Sequence, residues 1–546
     1  MIPSPQDFNL PINHTFWREH QYETLEWLLG LKQGGVAVVE SDVGSGKSAW
    51  PAAISSKFKT IVLTATKSLQ SQYAFYGFEP IMGRDNYACI SPDRLFEDAS
   101  ASDCVFSGEM WKCGVHEVCP YVVQKRKARG APAAVLNYHY WGLVGRGVEK
   151  KTGELNWRKD FLFLDEAHDV ARLCVDFFSL ELNKKHQGRY FLDEFPQIYG
   201  GMPETLMQDR AMAWIERSAE IVGSNVVMLK GKLKRGGKEE KKRTAGRYKA
   251  AGRLWQKLEN VREALGEKPE DWFIKSDAQG IVVRPLTARH VFPELFLFDR
   301  DATTVLMSAT IGDFGEFTRE LGIERYREKV VPSRFPPSAM PVFVHGDCPP
   351  MSYGYVKKHP EAFDIQADLI AKDLKENVPK DWSGLIHVTR RREAEEIRRR
   401  LAKRGFGDRV VASPGSVDGV YVPSQDQLVW WNKTREEKPN AILASCSFGT
   451  GYDGREERVN YIGKIPFLPW GSEGSYEAAY RKYSHKRYLS MTANLFSQWR
   501  GRTRRGRDED YDEGGEARGR IVVFDGSFNR IRHKLSDGVK SCIVEI

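Results

Sequence analysis

Three stretches of this sequence carry residue types and spacings that could do chemistry on a phosphate anhydride. The first is Glu40-Ser41-Asp42-Val43-Gly44-Ser45-Gly46-Lys47-Ser48, between an apolar run, Val36 to Val39, and a helical pattern from Lys47 onward. Glycines there let backbone N–H groups close around phosphates at a helix N-terminus, where the helix dipole favours negative charge. Gly44, Ser45 and Gly46 would cradle ATP, Lys47 would reach its β- and γ-phosphates, and the Ser48 hydroxyl would ligate Mg²⁺. The second stretch, Asp165-Glu166-Ala167-His168, follows directly on the apolar run Phe161 to Leu164. Carboxylates at the C-terminal end of a buried parallel strand stand where ligands bind in open α/β sheets. Asp165 can hold Mg²⁺ through water, Glu166 can polarise the attacking water as general base, and His168 can sense the γ-phosphate. The third stretch runs Gln498-Trp499-Arg500-Gly501-Arg502-Thr503-Arg504-Arg505. Arg502 and Arg505 would reach the phosphates as arginine fingers, each guanidinium bridging two oxygens. Arg500, Arg504 and Arg507 read as a solvated basic face.

Four of the eight cysteines fall together, Cys89, Cys104, Cys113 and Cys119, with the spacing C-x14-C-x8-C-x5-C. With no secretion signal ahead of them, they read as a metal site before they read as disulfides. Thiolates hold either a [4Fe–4S] cluster or tetrahedral zinc, and the spacing leaves both open. The other four, Cys174, Cys348, Cys446 and Cys542, read as small buried residues.

The elements that must position these groups are short apolar runs separated by helical patterns, the signature of parallel sheets buried on both faces. One set comprises Val36 to Glu40, Thr60 to Thr64, Phe161 to Leu164 and Thr303 to Met307. A second comprises Gly384 to Val388, Ala441 to Ala444 and Ile521 to Phe524, with a charged helix from Arg391 to Arg404. The expected fold class is therefore α/β, with two motor domains in tandem. Two stretches interrupt the first, one holding the cysteines and one mostly helical. Within the latter, Lys230 to Lys249 has the composition of a polar, basic loop.

The 546 residues are too many for one core. A net charge of +9 suits a phosphate-rich partner. No run of 18 apolar residues is present, so no membrane span is expected. The N-terminus lacks the basic start and apolar core of a signal peptide. A cytoplasmic protein, or a nuclear one in a eukaryote, is the expectation.

In order along the chain, these motifs resemble those of superfamily 2 helicases of the XPD/DinG type. Arg18-Glu19-His20-Gln21 resembles the adenine-reading Q motif, Thr64-Ala65-Thr66 motif Ia, Asp165 to His168 motif II, and Ser308-Ala309-Thr310 motif III. Ser447 to Gly454, with Gly451 and Asp453 at the nucleotide, resembles motif V, and Gln498 to Arg505 motif VI. Two departures stand out: Ser41 replaces the first glycine of the phosphate loop, and Thr450 stands where the family usually has Glu. Gly83 to Cys89, Cys119-Pro120-Tyr121 and Asn137-Tyr138-His139-Tyr140 are similar to the family's cluster flanks and to the segment before motif II. The resemblance spans Arg18 to Asp525.

What it implies is two RecA-like motor domains, the first carrying an iron–sulfur insertion and a helical arch. The corresponding division is 1–84, 131–177 and 276–325 for the first motor, 85–130 for the cluster, 178–275 for the arch and 326–546 for the second motor. It implies ATP, Mg²⁺ and a [4Fe–4S] cluster as cofactors, zinc being the runner-up. The implied activity is 5′–3′ translocation on single-stranded DNA by a monomeric motor that unwinds duplexes, forks or RNA–DNA hybrids, with no N-terminal exonuclease. A translocase that remodels protein–DNA complexes or R-loops without processive unwinding is the alternative. Thr66, Tyr87, Trp111 and Arg390 are the candidate nucleic-acid contacts, because a motor that tracks any sequence needs phosphate contacts and base stacking.

Overall fold

The computed structural model describes residues 3–11, 14–31, 33–42, 45–92, 94, 97–104, 112–145, 147, 157–266, 268–333, 341–414, 416–417, 420–421, 424–448, 457–467, 474–500 and 519–546. Two seven-stranded sheets organise the chain. The first is built from β1 (Val36–Ser41), β2 (Thr60–Thr64), β3 (Glu79–Ile81), β4 (Ala133–Asn137), β5 (Phe161–Asp165), β9 (Thr303–Ser308) and β10 (Arg327–Val331). Between β5 and β9 the chain forms a small antiparallel sheet of β6 (Leu180–Asn183), β7 (Trp272–Asp277) and β8 (Gly280–Pro285). The second large sheet comprises β11 (Val342–Val344), β12 (Gly384–His387), β13 (Val410–Ala412), β16 (Ile442–Ser445), β17 (Val459–Ile462), β18 (Arg520–Val523) and β19 (Ile543–Glu545). A two-stranded hairpin, β14 (Ser416–Val417) and β15 (Val420–Tyr421), lies outside it. Both large sheets are parallel throughout, in the orders β10-β1-β9-β5-β2-β4-β3 and β13-β16-β12-β17-β18-β11-β19.

The central strands are apolar on both faces because both faces are covered: every residue of β2, β5, β9, β12, β16 and β17 is buried. Strand order then does the positioning. β1, β9, β5 and β2 are consecutive neighbours, so the phosphate loop, Ser308-Ala309-Thr310, the carboxylate pair and Thr66 leave the same edge side by side. The register places Glu40 beside Ser308 and Asp165 beside Met307.

Two expectations need correction. The first sheet takes in β10, which pairs with β1 through Ala37↔Arg327, although a boundary at 325 was expected. That strand is three charged residues followed by two valines at the sheet edge, so it lacks the apolar run that marks the central strands. The basic run Lys230 to Lys249 is not a loop. It forms the adjoining ends of two long helices, Glu204–Arg235 and Lys238–Ala264, joined at Gly236-Gly237. Leu233 and Ala245 are buried between them, and Lys, Arg and Glu are good helix formers once such a seam exists. Lys232, Lys234 and Arg235 end one helix and Glu239 and Glu240 begin the next, each on the favourable side of the helix dipole.

The two large sheets meet through the helix Phe314–Glu320 after β9 and the helix His485–Arg500 before β18. Glu320 pairs with the buried Arg487, while Glu316, one turn away, accepts from Ser490 Oγ at 2.6 Å and Lys534 Nζ at 2.7 Å. Among the described residues, no helix is long and apolar enough to cross a membrane.

Candidate active site

The phosphate loop is locked to the segment resembling the Q motif. Gln21 is buried, and its Nε2 donates to the Gly46 carbonyl at 2.9 Å, while its Oε1 accepts the Arg18 N–H at 3.0 Å. Trp50 Nε1 donates to the Gln21 carbonyl at 3.0 Å, tying the same residue to the following helix. Gly46 sits at φ +83°, and a Cβ there would lie 2.5 Å from Gln21 Nε2, so both conformation and space require glycine. Lys47 Nζ donates to the Ser41 and Asp42 carbonyls at 2.8 and 3.1 Å. Ser41, the departure from the usual glycine, is the buried last residue of β1, and its hydroxyl donates to Ser45 Oγ at 2.7 Å. Gly44 lies outside the described residues.

The carboxylate pair stands next to this loop. Asp165 is 5% exposed, and its carboxylate accepts from Tyr73 OH at 3.0 Å and from the Glu166 N–H at 3.0 Å. Burial, then the neighbouring Glu166 charge, pushes the Asp165 carboxyl up to about 7, against the pull of Lys47 and Tyr73. Tyr73 is fully buried and also bonds Ser48, so one hydroxyl joins the two oxygens nominated for Mg²⁺. Gln72 Nε2 reaches Ser48 Oγ at 3.4 Å. Glu166 adopts φ +54°, a left-handed conformation that costs a side-chain-bearing residue free energy and recurs at functional sites. His168 Nδ1 lies 2.7 Å from Ser308 Oγ and 3.3 Å from Glu166 Oε2, so the serine of the motif III segment is wired to the acidic pair.

Sequence reasoning missed several members of this site. Glu40 is buried, and its Oε2 accepts the Ile311 and Gly312 N–H groups at 2.8 and 2.7 Å. Burial raises its carboxyl and these two bonds lower it. Asn494, from the helix His485–Arg500, donates to the Ile311 carbonyl at 3.3 Å. Gln498 is half-buried one turn further along that helix. Arg500 is not on a solvated face: it is buried, with Nη2 4.0 Å from Asp42 Oδ1. The tight turn after β9 brings the helix across the cleft, which no local pattern announces. A cavity of about 760 Å³ lies between Glu40, Asp42 and Gly312 on one side and Ser497, Arg500 and Lys534 on the other. Arg502, Arg504, Arg505, Arg507, Gly451 and Asp453 lie outside the described residues.

Of the nucleic-acid candidates, Thr66 is exposed and its Oγ1 caps the helix Lys67–Phe75 by accepting the Leu69 N–H at 3.3 Å. Tyr87 is engaged in packing, edge-on to Tyr121 at 5.6 Å, with its hydroxyl accepting the Met82 N–H. Arg390 is exposed after β12. Trp111 lies outside the described residues.

Cys89, Cys104, Cys113 and Cys119 are half-buried, and none of them is in a disulfide. Burial raises the Cys89 thiol, and Cys113 and Cys119 stand near enough to raise it further. Among the described residues, however, no group of three or more His, Cys, Asp or Glu converges as metal ligands do. The expected ligand set is gathered in one insertion but not drawn into coordination; thiols converge tightly only as deprotonated ligands around an ion. As a donor set, four unbridged thiols outside any disulfide fit a soft centre such as iron–sulfur or zinc.

Over residues 102–187 the chain matches the family model DEAD_2. A solved structure described as "XPD_Helicase" is similar over 97% of this chain and 99% of its own, at 11% identity and a TM-score of 0.57. A second, "XPD_APO", is similar over 96% and 99%, at 12% identity and a TM-score of 0.52. No curated protein matches the sequence. The chain thus shares its fold, two large parallel sheets in tandem, with these two solved structures. The DEAD_2 match covers the segment from Ser102 to Gln187, which holds Asp165 to His168.

The raised Asp165 carboxyl sets a pH signature. Its unfolded-state value is near 3.8 and its folded value about 7, so the folded state holds a proton that unfolding releases between those limits. Stability from this group is present below about pH 4, falls as pH rises to about 7, and is flat above. Asp165→Asn, which cannot ionise, should raise the thermal midpoint at pH 8 and leave it unchanged near pH 4. An equal shift at both pH values would contradict the assignment.

Proposed function

We propose that this chain is an ATP-dependent 5′–3′ DNA helicase that translocates on single-stranded DNA and opens duplexes, forks or RNA–DNA hybrids. The observation that carries the reading is the convergence of Gln21, Gly46, Lys47, Ser48, Asp165, Glu166 and His168 at the edge of one sheet, facing a helix of the other. ATP phosphates would replace the Ser41 and Asp42 carbonyls as partners of Lys47. Ser48 and Asp165 would hold Mg²⁺, which supplies charge neutralisation for the phosphate oxygens. Glu166 accepts the proton of the attacking water, and His168 passes the state of that carboxylate to Ser308. Arg502 and Arg505 are assigned the transition-state charge. Thr66 and Arg390 are assigned to the phosphate backbone, and Trp111 to base contact. Cys89, Cys104, Cys113 and Cys119 would hold a [4Fe–4S] cluster that rigidifies the insertion where strands separate. The domain division expected from sequence, with the first motor extended to Val331, is part of the same reading.

Duplexes with matched 5′ and 3′ single-stranded tails test activity and polarity together. The wild-type chain with ATP should open the 5′-tailed duplex, and Lys47→Ala should neither unwind nor hydrolyse ATP while still binding the DNA. Undiminished hydrolysis by Lys47→Ala would remove the phosphate-loop assignment, and preference for the 3′ tail would reverse the polarity.

Protein purified without oxygen should be brown, with iron and acid-labile sulfide in equal amount, and Cys113→Ser should lose the colour. A colourless protein with stoichiometric zinc would replace the cluster by the runner-up ion.

A further inference from the structure

The carboxyl edge of the second sheet presents an exposed aromatic ring beside an exposed guanidinium. Tyr353 opens the short helix Tyr353–Lys358 and is 63% exposed. Arg390 follows β12, and its guanidinium carbon lies over the Tyr353 ring, 5.5 Å from the centroid. Among the described residues no carboxylate pairs with Arg390. Arg398, Arg399, Arg400 and Arg404, further along the same segment, are each ion-paired. Arg390 instead keeps its charge undischarged by a carboxylate, and its contact with the Tyr353 ring is a cation–π one.

Neither residue sits on a floppy support. The loop before Tyr353 is pinned by the buried Asp525, whose Oδ1 accepts the Met351 N–H at 2.8 Å, and by the Gly526 N–H donating to the Pro349 carbonyl at 3.1 Å. Asp525 also accepts from Ile465 and Ser527. On the other side the Glu393 carboxylate accepts the Thr389 and Arg390 N–H groups at 3.1 and 3.0 Å and pairs with Lys464. Because β11, β18, β17 and β12 run parallel, both loops leave the same edge of the sheet. The neighbouring backbone is open as well: a Cβ at Gly354 would meet nothing within 4 Å. Lys357, one helical turn from Tyr353, adds a second exposed cation.

We propose that Tyr353 and Arg390 form a stacking platform for single-stranded nucleic acid, the tyrosine ring taking one base on its open face and Arg390 the adjoining phosphate. The platform rests on the reading of the chain as a nucleic-acid motor, and adds to it a base-contacting residue on the second sheet. Every base offers a π-face, so such a contact tolerates any sequence, as translocation demands.

The test measures affinity of the full chain for oligo-dT and for an abasic deoxyribose-phosphate oligomer of the same length, by fluorescence anisotropy at several salt concentrations. Tyr353→Ala should weaken oligo-dT binding roughly 5- to 100-fold, the loss of one stacked base, and leave the abasic oligomer unaffected. Tyr353→Phe should bind as wild type. Arg390→Ala should weaken both and lower the salt slope by roughly 0.7. Equal effects of Tyr353→Ala on both oligomers, no effect on either, or a Tyr353→Phe variant as weak as alanine would each overturn the platform while leaving the motor reading standing. A wild-type chain that binds neither oligomer overturns both.

Discussion

One buried carboxylate holds the catalytic edge together. Glu40, at the end of β1, accepts two consecutive backbone N–H groups, from Ile311 and Gly312, just past the end of β9. A buried carboxylate without such partners would cost several kcal/mol, and two unpaired N–H groups would cost about 1–3 kcal/mol each, so the arrangement is satisfied only as a unit. It fixes the phosphate-loop strand and the motif III segment in one frame. Gly312, at φ +75°, lets the chain turn there, and a Cβ on it would lie 3.0 Å from Asn494 Oδ1. The helix His485–Arg500 therefore touches the phosphate-loop side of the first sheet through a backbone turn whose position Glu40 sets.

Two lines run from that frame. Ser308 joins His168 and, through it, Glu166, so the end of β9 is linked to the acidic pair. Asn494 leads along its helix to Gln498 and Arg500, and Arg500 returns to the phosphate loop at Asp42. The Glu320–Arg487 pair clamps the same two helices further out, and Glu316–Lys534 ties the first of them to the turn Arg532–Lys534 after β18. Buried pairs of this kind are poor sources of net stability but strong determinants of register, because breaking one leaves an uncompensated charge. The geometry suits a machine in which closing the cleft and positioning the phosphates are one event.

The central strands and the phosphate chemistry were legible because their signals are local. Val36 to Ser41, Thr60 to Thr64 and Phe161 to Asp165 are apolar runs ending in turn or charge, and Gly46-Lys47-Ser48 has a meaning at that place alone. Edge strands were not legible: Arg327–Val331 and Ile543–Glu545 are short, partly charged and stabilised mainly by the neighbour they pair with. Lys230 to Lys249 looked like a loop because its apolar residues are sparse, and only the facing helix shows that Leu233 and Ala245 make a seam. Glu40, Tyr73 and Asn494 carried no signal in sequence; each acts across 92 residues or more, through contacts that only the folded chain creates.

The central claim is that the second sheet senses the nucleotide site through the Glu40-anchored turn. ATP hydrolysis by Asn494→Ala, with and without saturating oligo-dT, tests it most directly. If the turn carries the coupling, the variant binds ATP and oligo-dT as wild type but loses most of the stimulation by oligo-dT. Stimulation equal to wild type, with Asn494 removed, would contradict the account.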